Sequence, residues 1–468
     1  MHPLLQDVAY RTQLEKQRTA THAQLAAQLE LAHPLSAPPT AVALATAYHW
    51  SRAGEWARAG AWNLHAVRWT GMRDARTTDR QYHQALQNLE RAPASAEVDH
   101  LRVLACAGAI RQAQFSDRPP DPVDALYAQG RHIADARQDI AGLVELMISY
   151  CTMHMRRGDA RAAVNLAMEA VERAIHGGVA EIIGRFRLLL LLCASNAGYP
   201  REGIHLINRS GGEEWLQKPI GDDNYLSRGL YGYMLGWLGQ LEAARVQIDA
   251  ALVHAEQTGA TSSWMYANQV ELALLTGEHS GVLARAQRAL QAAESFGSPY
   301  FRAIALRALG LAHVLQGDPR AALPLLQQAR PLVAAGGNAH QFEASLLATL
   351  ARAYAGVGEY QRAYDAADAG IRSAQKSHSH VWEMFTWLPL FELPPDGPWA
   401  GRAREGLQRV EHLLQITSAE AARPWWWLAR ERWDADADIR RSARRHAIDA
   451  FAAIGAGAHV RRLQALAV

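Results

Sequence analysis

The stretch Ala308–Ala329, ALGLAHVLQGDPRAALPLLQQA, decides the fold. Apolar residues recur at helical spacing up to Gly317, and a second helical pattern starts at once behind it. Glycine suits the end of the first helix, because left-handed backbone there costs it nothing. Asp318 is placed to cap the next helix, and Pro319 fits the first turn, where a missing N–H is harmless. Pro324 is expected to remove one backbone bond and bend that helix. The stretch reads as a helical hairpin.

The reversal recurs. Gly158, Gly198, Gly239, Gly277, Gly317 and Gly358 follow one another at 40, 41, 38, 40 and 41 residues, and Gly54 in HWSRAGEWARAG is an earlier copy. An acidic residue often comes next (Glu55, Asp159, Glu278, Asp318, Glu359), which predicts capping of each second helix. Five residues past the glycine stand Ala59, Ala163, Gly203, Ala244, Val282, Ala322 and Ala363; twelve past it stand Ala66, Ala170, Ser210, Ala251, Ala289, Ala329 and Gly370. These positions are two helical turns apart and share a face. Seven before the glycine the residue is usually small as well: Ala47, Cys151, Gly232, Gly310 and Ala351, with Leu191 and Val270 departing. Small residues at such intervals let neighbouring helices approach closely. The predicted fold is all-α, an α-α superhelix of stacked hairpins with a period of about 40 residues.

These features resemble the tetratricopeptide repeat. LATLARAYAGVGEYQRAYDAADAG and RALGLAHVLQGDPRAALPLLQQA are the clearest copies. The period exceeds the family's usual 34, with the extra residues in QTGATSS, SFGSPY and AAGGNAH between hairpins. This longer form resembles the repeats of large bacterial signalling ATPases and regulators. A second resemblance lies at the start. HPLLQDVAYRTQLEKQRTATHAQLAAQLE is similar to a winged-helix-like segment that leads into the repeats of bacterial ATPase-coupled nucleotide-cyclase and LuxR-like regulator proteins. The matching residues are His2, Leu4, Gln6, Val8, Ala9, Tyr10, Arg18, His22, Ala26 and Glu30.

Three regions are expected: an N-terminal helical segment at 1–36, a repeat array at 41–376 that is degenerate over 72–140, and irregular hairpins at 377–468 that cap the array. Asp121 and Pro122 are placed to cap and open a helix within the degenerate part.

Several function classes lack their residues. There is no Gly-Lys pair for a phosphate-binding loop, no His-Glu-x-x-His, and no Gly-x-Ser-x-Gly in a suitable context. DADAD at Asp434–Asp438 has Ile439 where a calcium loop needs glycine and Arg445 where it needs glutamate, so a helix-start cluster is expected. His378 and His380 read as a polar loop. His154 and His313, each four before a turn glycine, read as packing residues. Cys106, Cys151 and Cys193 read as isolated buried thiols, not a disulfide framework or zinc set. No catalytic, cofactor or metal site is predicted. A net charge of +2 predicts no nucleic-acid partner, and the lack of a long apolar run predicts no membrane span and a cytoplasmic protein.

The expected activity is therefore binding, by a non-enzymatic scaffold or sensor. The repeat resemblance implies that residues two, three and six before the turn glycine line an inner groove. Here these include Tyr48, Arg52, Thr152, Arg156, Asn196, Tyr233, Trp237, Glu271 and Arg352. That mixed lining suits a protein or peptide, and the N-terminal resemblance adds an ATPase or cyclase domain as a partner. A free-standing adaptor and a fragment of a transcriptional regulator are the alternatives. In PWWWLARERW, Trp425, Trp426 and Trp427 cannot share one helix face, so one packs on a neighbouring hairpin or the three form an exposed aromatic patch.

Overall fold

The computed structural model describes residues 14–33, 40–113, 115, 121–178, 191–209, 224–335 and 342–465, and among them regular structure is helical throughout. The helices are α1 (Glu15–Ala32), α2 (Thr40–Arg52), α3 (Trp56–Thr70), α4 (Ala75–Arg91), α5 (Ala96–Ala113), α6 (Asp121–Arg137), α7 (Ile140–Arg156) and α8 (Ala160–His176). They continue as α9 (Pro200–Arg209), α10 (Asn224–Trp237), α11 (Leu241–Thr258), α12 (Ser263–Thr276), α13 (Val282–Phe296), α14 (Pro299–Leu315) and α15 (Pro319–Ala335). The last are α16 (Glu343–Gly356), α17 (Tyr360–Lys376), α18 (His380–Phe391), α19 (Ala400–Thr417), α20 (Arg423–Trp433), α21 (Ala437–Ala453) and α22 (Gly457–Ala465). Consecutive helices pack as hairpins in an all-α array of the tetratricopeptide type. Two compact units result: Met1–Tyr150 with Ala170–Ala180, and Cys151–Glu169 with Glu181–Val468.

In the first unit, α1 docks on the α2–α3 hairpin. Ala26 enters a core with Ala43, Ala47, Trp50, Ala59, Trp62 and Ala66. His22 Nδ1 lies 2.7 Å from His49 Nδ1, and the Trp62 indole N–H donates to the Glu30 carboxylate. His22, Ala26 and Glu30 of the N-terminal match thus hold α1 on the first hairpin; positions 2–10 of that match lie outside the described residues. Three described helices, α4, α5 and α6, stand between this hairpin and the α7–α8 pair. An odd number shifts the alternation of first and second helices, which is why the period fails over 72–140. The turn before α7 also lacks glycine: Gln138 takes the left-handed conformation there, at φ 55°.

The turn glycines at 54, 158, 198, 239, 277, 317 and 358 all have positive φ, between 76° and 83°. The small positions are buried as the spacing requires: Ala59, Ala163, Ala244, Val282 and Ala322 five past the glycine, and Ala66, Ala170, Ala251, Ala289 and Ala329 twelve past it, are all 0 % exposed. Ser210 lies outside the described residues. Capping is more selective than expected. Asp159 accepts from Ala162 N at 3.0 Å and Asp318 from Ala321 N at 3.2 Å, whereas Glu55 and Glu359 precede their helices without a side-chain cap. The extra methylene carries the glutamate carboxylate past the helix N–H groups, and Glu359 pairs with Arg362 instead. Glu278 precedes a turn whose helix begins only at Val282, and pairs with Arg461.

In the second unit the C-terminal helices lie against the turns of earlier hairpins. A Cβ on Gly198 would stand 2.5 Å from Val381 N and 2.8 Å from His380 N, and one on Gly239 would stand 2.6 Å from Ile454 Cγ2. Tyr199 meets the His380 ring edge-on at 5.2 Å. Arg201 donates to Ser418 Oγ at 3.3 Å, and His459 Nε2 lies 2.9 Å from the Leu274 carbonyl oxygen. Residues 377–465 therefore do more than end a row of hairpins; they clasp the turns of hairpins far earlier in the chain.

Candidate functional site

Small residues on the packing faces leave the other face of each first helix to carry large and charged side chains. In the second unit, Tyr233 and Trp237 lie one turn apart on α10, Trp264 and Glu271 two turns apart on α12, and Tyr300 and Arg307 two turns apart on α14. All of these but Tyr300 converge. The Tyr233 and Trp237 rings are 4.5 Å apart, and Tyr233 also meets Trp264 edge-on at 6.4 Å. Trp237 meets Trp382 of α18 edge-on at 5.9 Å. The Arg307 guanidinium lies 5.8 Å from the Trp382 ring and pairs with the Glu271 carboxylate.

The base of this cluster is closed: Trp237 is 2 % exposed, Arg307 5 %, and Glu271 and Trp382 8 % each. Tyr233 and Trp264 form a partly exposed rim above it. Burial pushes the Tyr233 phenol well above its usual range; the Glu271 carboxylate adds to the effect and Arg307 opposes it. Trp264 and Tyr233 offer π faces beside a paired but desolvated arginine, which suits an apolar or aromatic side chain presented from outside.

The expected groove residues divide among several places. Tyr233, Trp237 and Glu271 belong to this cluster. Arg156 is buried, its guanidinium 3.9 Å above the Tyr300 ring, and burial lowers its affinity for a proton while Tyr300 works against that. Arg352 pairs with Glu392, just past the end of α18. Asn196 donates to the Leu192 carbonyl four residues earlier at 2.9 Å, and Thr152 is half-buried. Tyr48 and Arg52 are exposed residues of the first unit, where Tyr48 stands edge-on to His22 at 5.9 Å.

Sequence reasoning missed Trp264, Arg307 and Trp382, which do not occupy the positions counted from the turn glycine. Arg307 did carry a signal: it interrupts the apolar run AIALRALGLA, where a charge needs a buried partner.

Of the three adjacent tryptophans, Trp426 is buried and Trp425 and Trp427 are half-buried. Trp426 is 4 % exposed and donates to the Leu407 carbonyl at 3.0 Å. Trp425 packs edge-on against Phe451 at 4.9 Å and His459 at 5.2 Å, and Trp427 stacks on His446 at 4.5 Å. The 100° step between helical neighbours sends each ring to a different partner, and Trp425 and Trp427 keep part of their surface exposed. The histidine equivalence has a local cause as well: His154 Nδ1 is 3.8 Å from Asp159 and His313 Nδ1 is 4.0 Å from Asp318, each ring facing the carboxylate just past its turn glycine. Asp436 caps α21, accepting from Asp438 N at 2.7 Å. Burial pushes the Cys106 thiol up to about 12, and the buried Cys151 thiol donates to the Ala163 carbonyl.

No described helix is long and apolar enough to cross a membrane. Among the described residues no group of three or more His, Cys, Asp or Glu could hold a metal ion.

The helices define a helical-repeat fold of stacked hairpins. No protein-family model matches the chain, and no curated protein does. Among solved structures it is similar to a crystal structure of Rap protein complexed with competence and sporulation factor, at 14 % identity over 87 % of this chain and 99 % of that one, with a TM-score of 0.37.

Proposed function

We propose that this chain is a protein-interaction module that recognises a peptide or protein segment through the first-helix face of its second unit. The observation that carries the reading is the Tyr233–Trp237–Glu271–Arg307–Trp382 cluster. Aromatic and charged side chains from four hairpins meet there, beside the half-buried Tyr233 and Trp264. Trp237, Glu271, Arg307 and Trp382 are buried where α18 returns to α10, so Tyr233 and Trp264 are the members left to meet a partner. Aromatic and arginine residues are also the usual anchors of protein recognition. The activity in this reading is binding without catalysis. By the N-terminal resemblance, the partner is the ATPase or cyclase domain of a bacterial signalling protein, and the chain acts in the cytoplasm as its regulatory repeat part.

The test is affinity capture from the source cell, with each captured protein identified and its binding re-measured using purified components. A Tyr233→Ala, Trp264→Ala variant removes the rim and leaves the ion pair intact. Loss of one specific partner, with helicity retained, supports the assignment. Equal recovery by both chains rejects it. A captured or neighbouring-gene ATPase identifies the signalling reading; a partner of another kind favours the free-standing adaptor.

A further inference from the structure

The last helix is held in an unusual way. α22 has no buried residue of its own, and a nine-residue helix is marginal without support. Polar contacts to the turn between α12 and α13 supply that support. His459 Nε2 lies 2.9 Å from the Leu274 carbonyl oxygen, Arg462 donates to the Gly277 carbonyl at 3.3 Å, and Arg461 pairs with Glu278 at 3.0 Å. The last pair is largely exposed and adds little. His459 is the anchor. Its ring stacks on Phe451 at 4.6 Å and meets Trp425 edge-on at 5.2 Å. It also fits over Gly277, where a Cβ would stand 2.9 Å from His459 Cδ2.

The charges around this anchor are unbalanced. From the turn, His279 and Glu278 act on His459; from its own helix, Arg462 does. His279 in turn feels Arg462 and Glu278, and its ring faces the Leu315 carbonyl. Arg461 already engages Glu278, the one carboxylate among these groups. Two protons arriving on the two imidazoles would meet two arginines and a single acid. We infer that His459 and His279 form a proton-controlled clasp, which docks the C-terminal helix on the α12–α13 turn when both rings are neutral and releases it when they are protonated.

The sign follows from linkage. Burial, chiefly, and the neighbouring cations hold both imidazoles below 6.5 in the docked state, against the opposing pull of Glu278 and the Leu274 and Leu315 carbonyls. Undocking frees His459 to regain the ordinary value of about 6.5 and removes Arg462 from beside His279, so the undocked state binds more protons in acid. Docking is therefore at full strength above that pH and weakens as the pH falls below it.

Hydrogen–deuterium exchange of the full chain tests this, with rates corrected for intrinsic exchange at each pH. Peptides covering 457–465 should exchange severalfold faster at pH 5 than at pH 7.5, the direction set by the lowered imidazoles. Helix α16 should not change. A His459→Gln, His279→Gln variant keeps amide donors but cannot titrate there, and its 457–465 exchange should lose the pH step. Flat corrected exchange in the unaltered chain overturns the clasp, whether or not the variant folds. So does a pH step that survives in a folded double variant.

Discussion

Arg307 on α14 and Glu271 on α12 form an ion pair with only 6 % and 10 % of their side-chain surfaces exposed. Each is the other's neutralising partner in the apolar interior of the second unit. Removing one leaves a desolvated charge, which costs about 3–5 kcal/mol, whereas replacing both with apolar residues of similar volume is often nearly neutral. Glu271→Ala should therefore destabilise the second unit by about that amount. The pair Glu271→Leu, Arg307→Met should recover most of the loss. Urea denaturation of the three chains checks both outcomes.

Two turn glycines should respond differently to alanine. Gly358 has φ 83° and open space around a would-be Cβ, so Gly358→Ala carries only the left-handed penalty of about 1–2 kcal/mol. Gly198 has φ 76°, and a Cβ there would stand within 2.8 Å of the backbone nitrogens of His380 and Val381. Gly198→Ala adds an overpacking cost of about 1–3 kcal/mol to the same strain. Thermal denaturation should rank Gly198→Ala as clearly the less stable, and exchange should rise at 377–381 in that variant alone.

Glu383 offers a pH test. Its side chain is 1 % exposed and receives hydrogen bonds from Arg409 Nε at 2.7 Å, from Arg409 Nη2 at 2.8 Å and from Gln375 at 2.8 Å. Burial pushes the carboxyl up, but the bonds from Arg409 and Gln375 outweigh it and hold the group below 4.5. A lowered carboxyl contributes stability that is present above the unfolded value and lost as the pH falls. In Arg409→Gln the burial contribution dominates and the sign reverses. The deficit of the variant against the unaltered chain should grow from pH 4 to pH 7, reaching up to about 3 kcal/mol after allowance for the partial exposure of Arg409. Denaturation midpoints measured across that range decide it; a constant deficit contradicts the argument.

Ala329 tests the repeat register. It stands twelve past Gly317 with no exposed surface. Ala329→Leu should cost about 1–3 kcal/mol by overpacking, and Ala329→Glu more, since the carboxylate would be buried without a partner. Equal stability of all three chains would place this face in solvent.

The hairpins were legible because turn geometry and close helix packing each demand a residue type: glycine where φ is positive, alanine where helices cross. The same logic failed where another residue met the demand. Gln138, His378 and Ser418 adopt left-handed backbone without being glycine, so the turns they form left no mark in the spacing. The cluster was half legible. Tyr233, Trp237 and Glu271 fall on positions counted from a glycine, whereas Trp382 follows a glycine-free turn and reaches Trp237 only because the second unit folds back on itself. That return depends on contacts between segments far apart in the chain, which no local period encodes. The fate of Trp425–Trp427 was hidden for the same reason: a helical wheel shows that three rings diverge, not what receives them.

The contacts of Gly198, Gly239 and Gly277 with segments near His380, Ile454 and His459 bear on how such a chain can evolve. An open row of repeats can gain or lose a member at little cost. A row whose tail must land on chosen members of its own middle has its copy number locked, and deleting or duplicating a single unit would misplace every later landing at once.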